Sequence, residues 1–463
     1  MDGARRIDPA HHLKLPRSQE TRYIIKGAEP LHGEVRVAGA KNAIGKQLVA
    51  SLLTSEPCVF SNVPRITEID AILDMLSDIG TQFEWLDETT LRVETPEIQS
   101  TEVSQRYSGF NRIPILMLGP LLHRTGSVSV PVVGGCNIGP RPIDFHTSAL
   151  AAMGTDLQKT PSGYRATATK LEGATIRLPY SSVGATENAI MTATLASGHT
   201  QIVNAAIEPE IVDTILFLQK MGALITIGPD RTIHVEGVDR LHGATHHSIT
   251  DRIEVASFAS AAIATDGKIT VRGAQQQQML SFLNALRRVG GEFQVVEDGI
   301  TFYRAKRDLS AWHIETEVHP GFVTDWQQPF VVLLTQCEGL SVVHETVYEN
   351  RFGYIQALQR MGAHIDLTDA CLGSVPCRFR SNGHQHSCVV KGPTKLHGVP
   401  IEIPDLRAGF AYIIAALVAS GTTEVTGIQY LSRGYADVPE KLAAIGASIQ
   451  VVDAAAIPQR KAG

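Results

Sequence analysis

Three things are scarce in this chain, and each scarcity closes off a class of protein. Cysteine is the first: Cys58, Cys136, Cys337, Cys371, Cys377 and Cys388 are scattered over 463 positions. So thin and irregular a set does not make a disulfide scaffold, and it fits a reducing, cytoplasmic setting. Long apolar runs are the second. No stretch of about 18 apolar residues marks a membrane span, and the N-terminal segment, with Arg5, Arg6, His11 and His12, has no apolar core of a secretory signal. Positive charge is the third. A formal net charge of -6 offers no basic face to nucleic acid. Neither a nucleic acid nor a membrane is therefore expected as a partner. With 43% apolar and 19% charged residues the chain has a globular composition. Its length allows two or three domains around a large core.

What the chain does have is repetition. A leucine-bearing helix end followed by glycine occurs six times, at Gly80, Gly154, Gly222, Gly290, Gly362 and Gly446, spaced by 68 to 84 residues. Each glycine stands where the residue after a helix needs the left-handed conformation. Each is followed by a strand-like stretch such as Ala223–Ile227. An Ala-rich helix, apolar nearly all round, recurs in step, for example within 188–197, 259–265 and 408–420. A helix of that kind is buried. The word Leu-His-Gly at Leu31, Leu241 and Leu396 reads as a turn rather than a set of ligands. The unit is strands plus two helices, one amphipathic and one buried. Six copies predict an α/β fold of two lobes, three units per lobe, with buried helices inside and sheets outside.

The starts of the six buried helices are polar: Lys41-Asn42, Arg112, Ser182-Val183-Gly184, Asp251-Arg252, Asp325 and Asp405-Leu406-Arg407. Ser and Asp are ordinary caps. Lys and Arg are not, because they oppose the helix dipole. If the helices of each lobe run parallel, their N-termini make an anion-binding patch, and two facing patches make an interlobe cleft.

A further feature is the loop from Val133 to Pro142, where Gly134, Gly135 and Gly139 stand with Pro140 and Pro142 around Cys136 and Arg141. A thiol beside cations is a usable acid or nucleophile near neutrality. A guanidinium holds phosphate or carboxylate with a planar fork of donors. Taken alone, the loop also fits a surface turn.

With these blocks in order, the chain resembles the enolpyruvyl transferase superfamily, in the branch that handles uridine nucleotides. The likeness runs from Tyr23 to Val452. It rests on Gly39-Ala40-Lys41-Asn42-Ala43, Gly134-Gly135-Cys136, Arg141-Pro142, Ser182-Val183-Gly184-Ala185-Thr186, Glu208–Asp213, Asp251–Glu254, His319-Pro320 with Thr324-Asp325, Glu349–Phe352, Asp405–Ala408 and Arg433-Gly434-Tyr435. The resemblance implies a two-lobed inside-out α/β barrel. It implies 1–21 as a leader, 41–249 as the lobe whose Cys136 loop is a lid, 22–40 with 250–455 as the other lobe, and 456–463 as a tail. It implies transfer of the enolpyruvyl group of phosphoenolpyruvate to a hydroxyl, with loss of phosphate and with no metal or organic cofactor. Lys41, Arg112, Arg141, Arg407 and Arg433 would hold the donor. Cys136 would deliver a proton to the methylene carbon and Asp325 would take one from the acceptor. Asn42, Arg141, Pro142, Ile143, Asp144, Ser182, Val183, Gly184, Asp325 and Val347 would hold a uridine nucleotide, with Glu210 lining the site.

Several positions depart from the family's pattern: Ile44-Gly45-Lys46 after Ala43, Ile113-Pro114-Ile115-Leu116 after Arg112, Trp326 after Asp325, Tyr430-Leu431-Ser432 before Arg433, and Tyr180. If these bulkier residues crowd the sugar end of the acceptor site, the expected acceptor is UMP, as in nucleoside-antibiotic biosynthesis. The alternatives are UDP-N-acetylglucosamine in peptidoglycan synthesis and a catalytically silent nucleotide-binding paralog. Cys371, Cys377, His384, His386 and Cys388 match no common zinc spacing and read as an exposed hairpin.

Overall fold

The computed structural model describes residues 21–135, 142–305, 308–375, 377–380 and 382–453. The expected leader (apart from Thr21), the tail, Cys136 and Arg141 lie outside these residues. Among the described residues six small sheets form, five of four strands and one of three. Each pairs with helices as the repeat predicts. The six glycines after the amphipathic helices all have positive φ, between 83° and 112°.

Helix type follows from side-chain distribution. Leu280–Arg288 buries Phe282, Leu283 and Leu286 and ends in exposed Arg287 and Arg288, so one stripe faces a core. All thirteen residues of Arg252–Ala264 are buried, Arg252 and Glu254 included. The helices Lys41–Ala50, Leu118–Thr125, Val183–Ala193, Gln327–Leu334 and Leu406–Val418 fill comparable places. They gather into two hydrophobic cores. One takes side chains from Ile44 to Leu241, joined by Ala436. The other takes Tyr23 to Val37 and then Ile253 to Ile445. The architecture is the two-lobed, inside-out α/β barrel.

The first described strands pack into the second core. Strand Arg22–Lys26 lies between Thr422–Thr426 and Ser448–Val452, antiparallel to both. Strand His32–Arg36 pairs in parallel with Lys268–Arg272. The chain then crosses to the first lobe at residues 38–40 and returns at 249–251. The two crossings are paired: Ala40 N donates to Ile249 O at 2.7 Å and Asp251 N to Ala38 O at 2.8 Å. Gly39 is required there, since a Cβ would stand 1.8 Å from the carbonyl oxygen of Asn62. Among the described residues no helix is long and apolar enough to cross a membrane.

Candidate active site

The polar starts of the buried helices converge on a cavity of about 430 Å³ between the lobes. Two of them are explained by capping. Asp251 Oδ1 accepts from the N–H groups of Ile253 and Glu254, and Asp405 Oδ1 from those of Arg407 and Ala408 at 2.9 and 3.1 Å. Capping does not account for the others: Ala40 and Ser182 give no side-chain cap bond to the helices that follow them. The cations there face the cavity.

Of the residues singled out in the sequence, Lys41, Asn42, Arg112, Pro142, Asp144, Ser182, Val183, Gly184, Glu210, Asp325, Val347, Arg407 and Arg433 line this space. Ile143 does not; it is 8% exposed and belongs to the first core. Gly135 lines the cavity as well. Gly134 is fixed by close approach, a Cβ there meeting the oxygen of Gly109 at 1.8 Å.

Asp325 is held between two guanidinium groups. Its Oδ2 is 3.0 Å from Arg407 Nε, and its Oδ1 accepts from Arg351. Burial pushes its pKa up, but Arg407, Arg351 and Lys41 outweigh that and hold it below the usual carboxylate range. Its charged form is thereby favoured. Glu68, absent from the sequence reading, bridges two expected donor-binding cations: its Oε2 accepts from Arg433 at 2.8 Å, and Oε1 lies 3.7 Å from Lys41 Nζ. Against the cost of burial, those two cations keep its pKa low. Arg252 holds Glu210 with two bonds of 2.9 and 3.0 Å. Lys46 Nζ lies 3.6 Å from Glu187, a fully buried carboxyl that burial pushes up to about 7. Arg378 stands 4.3 Å over the Tyr180 ring and donates to the carbonyl of Val347. Several of these pairs join one lobe to the other.

Comparison with known proteins fits this geometry. The sequence profile of EPSP synthase (3-phosphoshikimate 1-carboxyvinyltransferase) matches residues 25–442. A protein of Protochlamydia amoebophila named UDP-N-acetylglucosamine 1-carboxyvinyltransferase is 51% identical over 437 residues, covering 93% of this chain and 94% of its own. The chain belongs to the enolpyruvyl transferase superfamily. It is an enzyme that transfers enolpyruvyl groups. A Chlamydia trachomatis serovar D relative of the same name is 46% identical, covering 94% and 98% of the two chains. Among solved structures, the enolpyruvyl transferase NikO from Streptomyces tendae superposes with a TM-score of 0.82 at 22% identity, covering 94% of this chain and 99% of that one. EPSP synthase from Acinetobacter baumannii gives 0.71 at 15%, covering 94% and 100%. At those identities the last two speak for the fold.

Seen on this superfamily fold, the departures from the family's pattern divide evenly between the cavity wall and positions away from it. Ile44 has no exposure and packs in the first core. Trp326, also without exposure, packs against Phe282 and Phe322 with ring centroids 5.5 and 5.6 Å away. Tyr430 is 38% exposed and does not line the cavity. Ile113, Ile115, Leu116, Lys46 and Tyr180 do line it. The crowding argument thus holds for part of the set only, and what stands against the UMP expectation is that the relatives at 46–51% identity carry the sugar nucleotide in their name.

Proposed function

We propose that this enzyme is a UDP-N-acetylglucosamine 1-carboxyvinyltransferase, moving the enolpyruvyl group of phosphoenolpyruvate to a sugar hydroxyl. The observation that carries the reading is the 46–51% identity to enzymes of that name along nearly the whole of both chains.

The cavity supports the chemistry. Adding the acceptor O–H across the enol double bond forms a bond from oxygen to the phosphate-bearing carbon and puts a proton on the methylene carbon. Losing that proton and the phosphate restores the double bond. In this scheme Lys41, Arg112, Arg407 and Arg433 neutralise the phosphate and carboxylate. Asp325, held ionised by Arg407 and Arg351, takes the acceptor proton. Cys136 supplies the methylene proton and Arg141 completes the anion site. Ser182, Val183 and Gly184 at a helix start, with Asn42, Pro142, Asp144 and Val347, receive the uridine nucleotide.

The test is phosphate release from phosphoenolpyruvate with UDP-N-acetylglucosamine and, separately, with UMP. Release with the sugar nucleotide alone is expected. Release with UMP alone overturns the proposal. Binding of the sugar nucleotide with no release in either case also overturns it, in favour of a silent paralog.

A further inference from the structure

The excursion between strands His364–Thr368 and Ser387–Gly392 carries Cys371 and Cys377 and returns at His386. The sheet adds a residue that local spacing could not supply. Strand Gly339–His344 pairs antiparallel with Ser387–Gly392, and the register sets His344 opposite Ser387, next to His386. The result is a four-residue cluster: one potential ligand atom from each of His344, Cys371, Cys377 and His386 lies within 4.8 Å of the others. None of the four lines the catalytic cavity.

The polar state of the cluster is what marks it. His344 has no exposure, yet among the described residues neither of its ring nitrogens has a hydrogen-bond partner. A buried polar group left in that condition is costly unless something fills the gap. His386 is 1% exposed; its Nδ1 is 2.6 Å from the carbonyl oxygen of His384 and its Nε2 is 3.3 Å from Cys371 Sγ. A carbonyl on Nδ1 fixes the proton there and leaves the Nε2 lone pair directed at the sulfur, the arrangement of a histidine ligand with its supporting acceptor. The Glu315 carboxylate lies 3.9 Å from His344 Nδ1 and accepts from the N–H groups of Ser374 and Val375. It thus ties the cysteine loop to the histidine strand. Gly373 completes the fit, since a Cβ there would come within 2.1 Å of His344 Nδ1. The ring of Phe379, 2% exposed, covers His386 with centroids 5.9 Å apart.

We propose that His344, Cys371, Cys377 and His386 form a structural zinc site. Two thiolates and two imidazoles are the donor set of closed tetrahedral zinc. Bond lengths of about 2.3 Å to sulfur and 2.0–2.1 Å to nitrogen place neighbouring donors roughly 3.3–3.8 Å apart. The Cys371–His386 pair already has that spacing, and the widest separation closes by about an ångström of side-chain rotation. Binding releases the two thiol protons and changes no oxidation state. The ion would staple the loop that carries Arg378 to the Tyr180 ring, which makes its role structural.

The test uses the full-length chain, purified under reducing conditions, with zinc and cobalt(II) as probes. One equivalent of zinc per chain is expected by elemental analysis after dialysis. Cobalt(II) substitution should give the visible bands of a tetrahedral ion together with a thiolate charge-transfer band. The variant Cys371→Ser/Cys377→Ser should lose both, and His384→Ala, outside the donor set, should keep both. A second measurement does not depend on the variants folding. Zinc should protect Cys371 and Cys377 of the wild-type protein from alkylation, and chelation should expose them. Failure of the reduced wild-type chain to bind, cobalt without the thiolate band, or unchanged binding in the double-serine variant each overturns the proposal. So does a Cys371–Cys377 disulfide in protein that takes up no metal once reduced.

Discussion

Asp325 is held by two guanidinium groups, and Asp325→Asn would keep much of that packing while removing the charge they neutralise. A lost general base costs typically 10²–10⁴-fold, so kcat should fall by at least about 100-fold with the sugar nucleotide still bound; unchanged kinetics would remove Asp325 as the base. Cys136→Ala should likewise spare nucleotide binding and lower turnover about 100-fold or more, and wild-type turnover would remove its role as acid. Glu187 permits a pH prediction. Its folded pKa is raised to about 7 against an ordinary 4.5, so between those values the folded chain keeps a proton that the unfolded chain has released. Stability should therefore fall as pH rises through that window and level off above it. Asp251, pushed up to about 6 by burial, adds a slope of the same sign. The difference between wild type and Glu187→Gln in denaturation midpoints at pH 5 and pH 7.5 isolates the Glu187 part. A variant whose midpoint tracks the wild type at both values would refute it.

At the level of elements, the helix starts do two different jobs, and the sequence distinguished them only in part. Asp251 and Asp405 satisfy the backbone of their own helices, while Lys41 turns to the cavity and meets Glu68, which also holds Arg433 from the segment between two short helices. The glycines of the repeat were legible because a left-handed residue after a helix is a local demand of the backbone. Glu68 was not, since its partner Arg433 stands 365 residues away. The steric argument about Ile44 failed for a related reason. A one-residue step along a helix turns the side chain by about 100°, so Lys41, Asn42, Gly45 and Lys46 look into the cavity while Ile44 looks into the core. A substitution is visible in a sequence; its facing is not. The same holds for His344, which joins the cysteine loop through strand register alone. The ion pair of Glu210 with Arg252 links an element of each lobe, both side chains being 5% exposed or less. Removing one member of such a pair costs roughly 3–5 kcal/mol. Glu210→Ala should lower the thermal midpoint markedly, while Glu210→Leu/Arg252→Met should recover much of it and remain impaired in catalysis. Equal midpoints for Glu210→Ala and wild type would show the pair to be solvated.

For the whole molecule, the two cores are unequal in their demands on the chain. The first draws on residues from Ile44 to Leu241 and, beyond them, on Ala436. The second joins Tyr23 to side chains as distant as Ile445. Strand Arg22–Lys26 has both neighbours in its sheet at Thr422–Thr426 and Ser448–Val452. On a ribosome, then, strand Arg22–Lys26 waits for partners made about 400 residues later. At about 5–20 residues per second that wait lasts tens of seconds, during which an unpaired strand edge is open to wrong partners. The first lobe faces no such delay. Chains stalled shortly after the first lobe has emerged should resist protease across 41–249 while Arg22–Lys26 is still cut. Protection of that strand at the same stage would mean that it finds a temporary partner in the lobe it does not belong to.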